Sequence, residues 1–482
     1  MTSVRAALLI SFVLTNGITV LQFSSSLIIS RLLSPKEIGV YSVAAAIIAI
    51  AQLFRNVGVA NYLVSEKDLS HDKIRAAFGV QLVTSWVLAL LVFAVSGPVA
   101  ILYREEGVQR VMMIASISFL LAPFGGVTVT LLLREMRYRE RAIVDISSAL
   151  VHAILSVSLA YAGFGYMSLA WAALGNTITT VCVGALFRPL GMPWLPNFRE
   201  AKNVLSFSIP TAGGDILRYL RDATPELVVG RVIGFDAVAF LSRATGLIGL
   251  FNSVIGQAIS RVAFAYFPKE FRSGSNINSL FLKAEAYLCV TALPFFATLA
   301  VMAEPVIRLL FGEQWIDSII LVRILAVAAI VGAPFSITPL VLNATGHTKS
   351  IFSIEIVVFV FTAILIVPAA TIGKEAVAGS LIIVSLAYGA MCFKHLNKVL
   401  GLSLRDIFVA FSRAIPVLIA AIVIPILLLA TNIIEKDWIM VLVGGLGATM
   451  GWLIAIFASK HPIRTEIVKL ATHGQDRLRR RF

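Results

Sequence analysis

Asp215, Arg218, Arg221, Asp222 and Glu226 crowd together in a chain that is otherwise poor in charge. On a helix turning about 100° per residue, Asp215, Arg218, Asp222 and Glu226 share one narrow arc, with Arg221 on its shoulder. Carboxylates and guanidiniums so spaced can take up a proton or a sodium ion, or simply pair with one another. The flanks read as lipid-buried helix, where each ionisable group costs roughly 2.5 to 3.5 kcal/mol unless it faces protein or a water-filled cavity. The stripe therefore predicts a polar cavity within a membrane protein. Asp215, Asp222 and Glu226 are its candidates for ion coupling, and pairing with Arg218 or Arg221 is the weightier alternative for most of them.

Two more arginines, Arg55 and Arg243, fall in apolar stretches with no carboxylate within reach on their own helices. The structural alternative for such a cation is an interhelical salt bridge, for instance Arg55 with Asp222. Ser11, Thr15, Thr19, Gln22 and Ser26 recur at spacings of four, four, three and four, giving the first apolar stretch one polar face. That face lines a cavity or packs a helix through hydroxylated residues; the charged stripe favours the cavity. His152 reads as a hydrogen-bonded interior residue, with a proton relay as the alternative.

Other chemistry is missing. No GxxxxGK[ST] phosphate cradle is present, so the chain is not expected to hydrolyse ATP, and the six histidines form no metal-ligand spacing. The chain is expected not to be an enzyme and to need no metal or other cofactor, beyond coupling to protons or sodium. Cys182, Cys289 and Cys392 lie in separate apolar stretches and read as small core or lipid-facing residues.

The elements that must position these groups follow from composition. The chain has 482 residues, 59% of them hydrophobic and 14% charged, with a mean hydropathy of +0.91. This predicts an all-α polytopic membrane protein. Windows of about 20 residues give fourteen spans. Those that matter here are 6–30, 38–62, 143–162, 204–231 and 238–262; a turn at Gly163-Phe164-Gly165 divides a charge-free stretch too long for one span. With the N-terminus cytoplasmic, 26 of the 40 Lys and Arg lie inside, 9 outside and 5 within spans. Positive-inside bias thus places both termini in the cytoplasm and accounts for the net charge of +14 without nucleic acid as a partner.

The chain also repeats. Leu27 to Ala44 aligns without gaps on Leu227 to Ala244, and Ala122-Pro123-Phe124 recurs as Ala333-Pro334-Phe335. Six spans per copy predict a parallel repeat, with an N-terminal lobe at 1–190, a C-terminal lobe at 191–401, two additional helices at 402–459 and a basic tail at 460–482. The tail ends in Arg477-Leu478-Arg479-Arg480-Arg481-Phe482 and has no long apolar run. Its cations suit an anionic lipid surface at about 1 kcal/mol each. Truncation after Pro462 is expected to leave transport intact; loss of export at normal membrane levels of protein would contradict this.

Ile29 to Tyr41, ISRLLSPKEIGVY, resembles the first external loop of the polysaccharide transporter branch of the multidrug, oligosaccharidyl-lipid and polysaccharide exporter superfamily. Leu131 to Trp171 and Glu226 to Pro268 are similar to the same branch, so the likeness to Wzx-type flippases and exopolysaccharide exporters spans most of residues 1–400. The resemblance implies two six-helix lobes around a central cavity, and alternating access of an undecaprenyl-diphosphate-linked oligosaccharide across the bacterial inner membrane. It also implies polysaccharide polymerase and co-polymerase proteins as partners. Related flippases use cavity arginines for the diphosphate, and Arg55 stands where that pattern places one; Arg218, Arg221 and Arg243 are supporting members. Two other readings compete: a cation-coupled drug exporter of the same superfamily and a membrane scaffold that transports nothing. Such drug exporters often bear an acid in their first helix, whereas Ala6 to Ser30 holds no Asp or Glu. A scaffold needs no charge at mid-bilayer.

Overall fold

The computed structural model describes residues 4–56, 59–188, 195–256, 277–431, 433–459, 461–465 and 468. Among them every regular element is helical. The first part holds α1 (Val4–Leu32), α2 (Pro35–Asn56), α3 (Val59–Ser65), α4 (His71–Tyr103), α5 (Glu106–Arg134), α6 (Tyr138–Tyr161), α7 (Met167–Leu186), α8 (Ala201–Val232) and α9 (Phe235–Phe251). The second holds α10 (Ile277–Val301), α11 (Ala303–Leu310), α12 (Ser318–Gly332), α13 (Thr338–Ala344), α14 (Thr348–Ile372), α15 (Lys374–Leu400), α16 (Leu404–Ser412), α17 (Ile415–Thr431) and α18 (Asp437–Ala458).

Eleven helical segments among the described residues are long and apolar enough to cross a bilayer. α1, α8 and α9 stand at the other three expected spans: α8 carries the charged stripe, and α9 runs toward residues outside the description. The turn expected at Gly163-Phe164-Gly165 separates α6 from α7. Gly163 and Gly165 take φ of +85° and +55°, which a side chain would strain. The prolines divide in behaviour: Pro123 and Pro294 sit inside continuous helices, whereas Pro334 lies in a 3₁₀ turn that breaks α12 from α13.

Packing divides the chain into a unit from Met1 to Ser242 and a second from Arg243 to Phe482. This boundary differs from the repeat boundary at 190, because α8 packs on α2 and α4. Val204 of α8 joins a core with Leu63, Phe78 and Leu131, from α3, α4 and α5. The aligned segments also break alike: α1 ends at Leu32 and α2 begins at Pro35, and 200 residues on α8 ends at Val232 and α9 begins at Phe235.

In the second unit, α10 is the central post. Its Phe281, Leu288, Cys289 and Phe296 pack into one core with Leu396, Ile407, Val417 and Ile456, from α15, α16, α17 and α18. The two additional helices expected at 402–459 thus have an anchor, and Trp452 Nε1 of α18 donates to Val290 O at 2.7 Å. Beyond α18, His461 is buried, and the Tyr287 hydroxyl donates to Pro462 O at 3.3 Å. Truncation after Pro462 keeps that contact.

Candidate functional site

Along α2, Tyr41, Ala45, Ile48, Gln52 and Arg55 recur at spacings of four, three, four and three, so they share one face. That face looks into a cavity of 470 Å³ inside the first unit. Ser118 and Phe119 of α5, His152 of α6, and Asn176 and Thr177 of α7 complete its lining. Small residues make the room: Ala170 and Ala173 of α7 face Ala45 and Ala49 of α2 across it. The Arg55 guanidinium carbon lies 5.4 Å from the centroid of the buried Phe119 ring. A cation over an aromatic face gains roughly 0.5 to 2 kcal/mol and keeps its in-plane N–H donors for other partners.

The cavity is polar, and its described lining residues include no carboxylate. Thr177 spends its hydroxyl on Ala173 O at 3.1 Å. Tyr41, Gln52, His152 and Asn176 make no side-chain hydrogen bond to protein among the described residues. Their polar atoms are open to the cavity, where they can hydrogen-bond an occupant. One cation and several neutral donors, with no acid among the described lining residues, suit an anion.

The other expected site residues are placed differently. Arg221 Nε donates to Asp222 Oδ1 at 3.0 Å. The Ser242 hydroxyl hydrogen-bonds the Glu226 carboxyl. Arg218 is exposed, and the side chain of Asp215 lies outside the described residues. Arg218, Arg221, Asp222 and Glu226, the described members of the α8 group, do not line the Arg55 cavity. Arg243 belongs to the second unit, where its guanidinium carbon lies 5.6 Å from the ring centre of Phe311 and 5.2 Å from that of Trp315. On α1, Thr19 and Ser26 are half-buried and Gln22 is exposed, whereas the side chains of Ser11 and Thr15 lie outside the described residues. The three described members of that polar face do not line the Arg55 cavity either.

Sequence reasoning missed two buried acids. Glu285 of α10 is fully buried and accepts from the Cys289 thiol at 3.7 Å; Glu355 of α14 is 3% exposed. Glu285 stands near the N-terminal end of an apolar stretch and was not singled out. The signal that could have found it is its i, i+4 spacing to Cys289 on the face that carries Phe281 and Leu288. The three cysteines are free, with Cys289 and Cys392 buried and Cys182 exposed. No group of metal-ligating side chains exists among the described residues.

A multi-helix membrane protein with a cation-bearing polar cavity framed by its spans has the build of a transporter. The chain belongs to the polysaccharide biosynthesis protein family, whose model matches residues 28–320. It is 26% identical over 303 residues to the succinoglycan biosynthesis transport protein ExoT of Rhizobium meliloti, an alignment covering 61% of this chain and 60% of that protein. The chain therefore spans less than two thirds of that relative's length. Against the lipopolysaccharide biosynthesis protein WzxC of Escherichia coli it is 20% identical over 456 residues, covering 91% of this chain and 90% of the relative. Among solved structures, the lipid II flippase MurJ in an inward closed conformation shares the fold, with a TM-score of 0.77 at 13% identity, over 95% of this chain and 100% of the other. The family resemblance read from Ile29 to Tyr41 and the later segments holds.

Proposed function

We propose that this protein carries an undecaprenyl-diphosphate-linked oligosaccharide from the cytoplasmic to the periplasmic leaflet of the bacterial inner membrane, by alternating access, for surface polysaccharide synthesis. The observation that carries the reading is the Arg55 guanidinium held over Phe119 in a polar cavity with no carboxylate among its described lining residues. Planar, bidentate donors suit the oxygens of a diphosphate, and amide and hydroxyl groups such as Gln52, Asn176 and Tyr41 suit sugar hydroxyls. Family membership and relatives named for succinoglycan transport and lipopolysaccharide biosynthesis support the same substrate class. In this reading Arg218, Arg221 and Arg243 bind other parts of the substrate or line its path, Asp222 and Glu226 are the described candidates for proton or sodium coupling, and polymerase proteins receive the product. The drug-exporter alternative fits less well, since a cavity bearing a guanidinium, with no acid among its described lining residues, repels organic cations.

Deletion of the gene is expected to remove surface polysaccharide and to leave lipid-linked oligosaccharide accumulating on the cytoplasmic side, read by extraction and mass analysis of the lipid pool. An unchanged lipid pool together with loss of dye efflux would transfer the protein to the drug-exporter class.

A further inference from the structure

We propose that His152 is a second anion ligand of the Arg55 cavity and that it takes up a proton when a diphosphate binds there. The inference rests on the reading of Arg55 given above and adds proton linkage to it. His152 sits on α6, and its ring faces the same cavity as Arg55 of α2. The ring is half-buried and makes no hydrogen bond to protein among the described residues, so its nitrogens are available to an occupant of the cavity.

The charged and titratable groups around it are few. From α2 come Tyr41 and Arg55; the lining residues of α5 and α7 contribute none. α1, which packs along α6, brings among residues 16–32 only Arg31, exposed at its far end. On α6 itself, Asp145 lies seven residues before His152, about 10 Å along the axis. It is already engaged by Arg141 Nε at 3.4 Å. Without an anion, a protonated His152 would share the cavity with the Arg55 cation, and the described lining residues bring no acid beside it. A bound diphosphate reverses that balance, because its negative charge favours the imidazolium, whose two N–H groups can both donate. Linkage is reciprocal: if the anion favours the proton, the proton favours the anion. Affinity should therefore rise as pH falls through the histidine range.

The test uses the full-length protein in lipid nanodiscs. Farnesyl diphosphate and inorganic diphosphate serve as probes, titrated calorimetrically at pH 6 and pH 8 in two buffers of different ionisation enthalpy. Wild type is expected to bind at least one probe about 5-fold or more tightly at pH 6, a coupling of ordinary size, with buffer-dependent heat that reports proton uptake. Binding of farnesyl diphosphate alone marks the lipid as part of the ligand, and equal binding of both marks the headgroup. His152→Gln should bind with one affinity at both pH values and without proton uptake. His152→Lys, which carries a fixed charge and guards against misfolding of the first variant, should bind at pH 8 as wild type does at pH 6. Arg55→Ala should lose binding at both pH values. Undiminished pH dependence and proton uptake in His152→Gln would overturn the proposal while leaving the Arg55 reading intact. Binding unaffected by Arg55→Ala, or no wild-type binding of either probe, would remove both.

Discussion

Arg55→Ala is expected to abolish polysaccharide export while the protein still reaches the membrane at wild-type level. The guanidinium is the only fixed charge among the described lining residues of its cavity, and hydrogen bonds to charged groups contribute about 1.5 to 3 kcal/mol each. Losing a bidentate pair therefore weakens substrate engagement by roughly 100-fold or more. Arg55→Lys keeps the charge and loses the planar fork, so export should return only in part. Surface polysaccharide measured beside an immunoblot of the membrane fraction reads both quantities. The salt-bridge alternative makes a different forecast: Arg55→Ala would be rescued by also neutralising an acid of α8. Asp222 is already engaged by Arg221 at 3.0 Å, and Asp222→Asn is expected not to rescue. Rescue would show that Arg55 balances a carboxylate and would end its assignment to the diphosphate.

The layout of the chain was legible because lipid leaves backbone groups few alternatives. Apolar runs of about 20 residues must be helical, and a Gly-Phe-Gly break in a charge-free stretch must turn. The 200-residue offset was visible in Arg31 and Arg231, and the helix breaks at Leu32 and Val232 fall on it. The candidate site was legible only in part. Arg55 and His152 each stood out as polar groups in apolar helices, but nothing local says that α2 and α6 turn those positions into one space. That depends on alanines of α7 and on Phe119, whose residue types are ordinary for any membrane helix. For the α8 stripe, periodicity along one helix does not by itself separate a cavity face from a local pair such as Arg221–Asp222.

Gly39→Ala should destabilise the first unit by about 1 to 3 kcal/mol, the usual range for forcing a methyl group into a full space, and Gly39→Val by more. Gly39 lies in the first turns of α2, inside the segment whose resemblance pointed to the family, so a role in binding substrate would be a natural guess. The packing gives a different reason. A Cβ on Gly39 would run into the backbone carbonyl of Phe235 and stand 2.9 Å from its Cα. Backbone cannot swing aside as the tip of a side chain can. The junction around it is tight on every side: Tyr103 of α4 donates its hydroxyl to Leu227 O at 3.0 Å, and its ring packs on Phe235 at 6.4 Å between centroids. Gly230 of α8 approaches Val43 of α2, so a Cβ there would stand 2.7 Å from a Val43 methyl. The starts of α2 and α9, which correspond in the repeat, thus meet at Gly39 within the first unit. Gly246→Ala is the control, since a Cβ at that exposed helical position meets nothing within 4 Å and should be neutral or slightly stabilising. Thermal unfolding of the detergent-solubilised variants, followed by fluorescence, would separate the two. A Gly39→Ala protein that melts with the Gly246→Ala control yet fails to export would move Gly39 from the packing of this junction to the transport path.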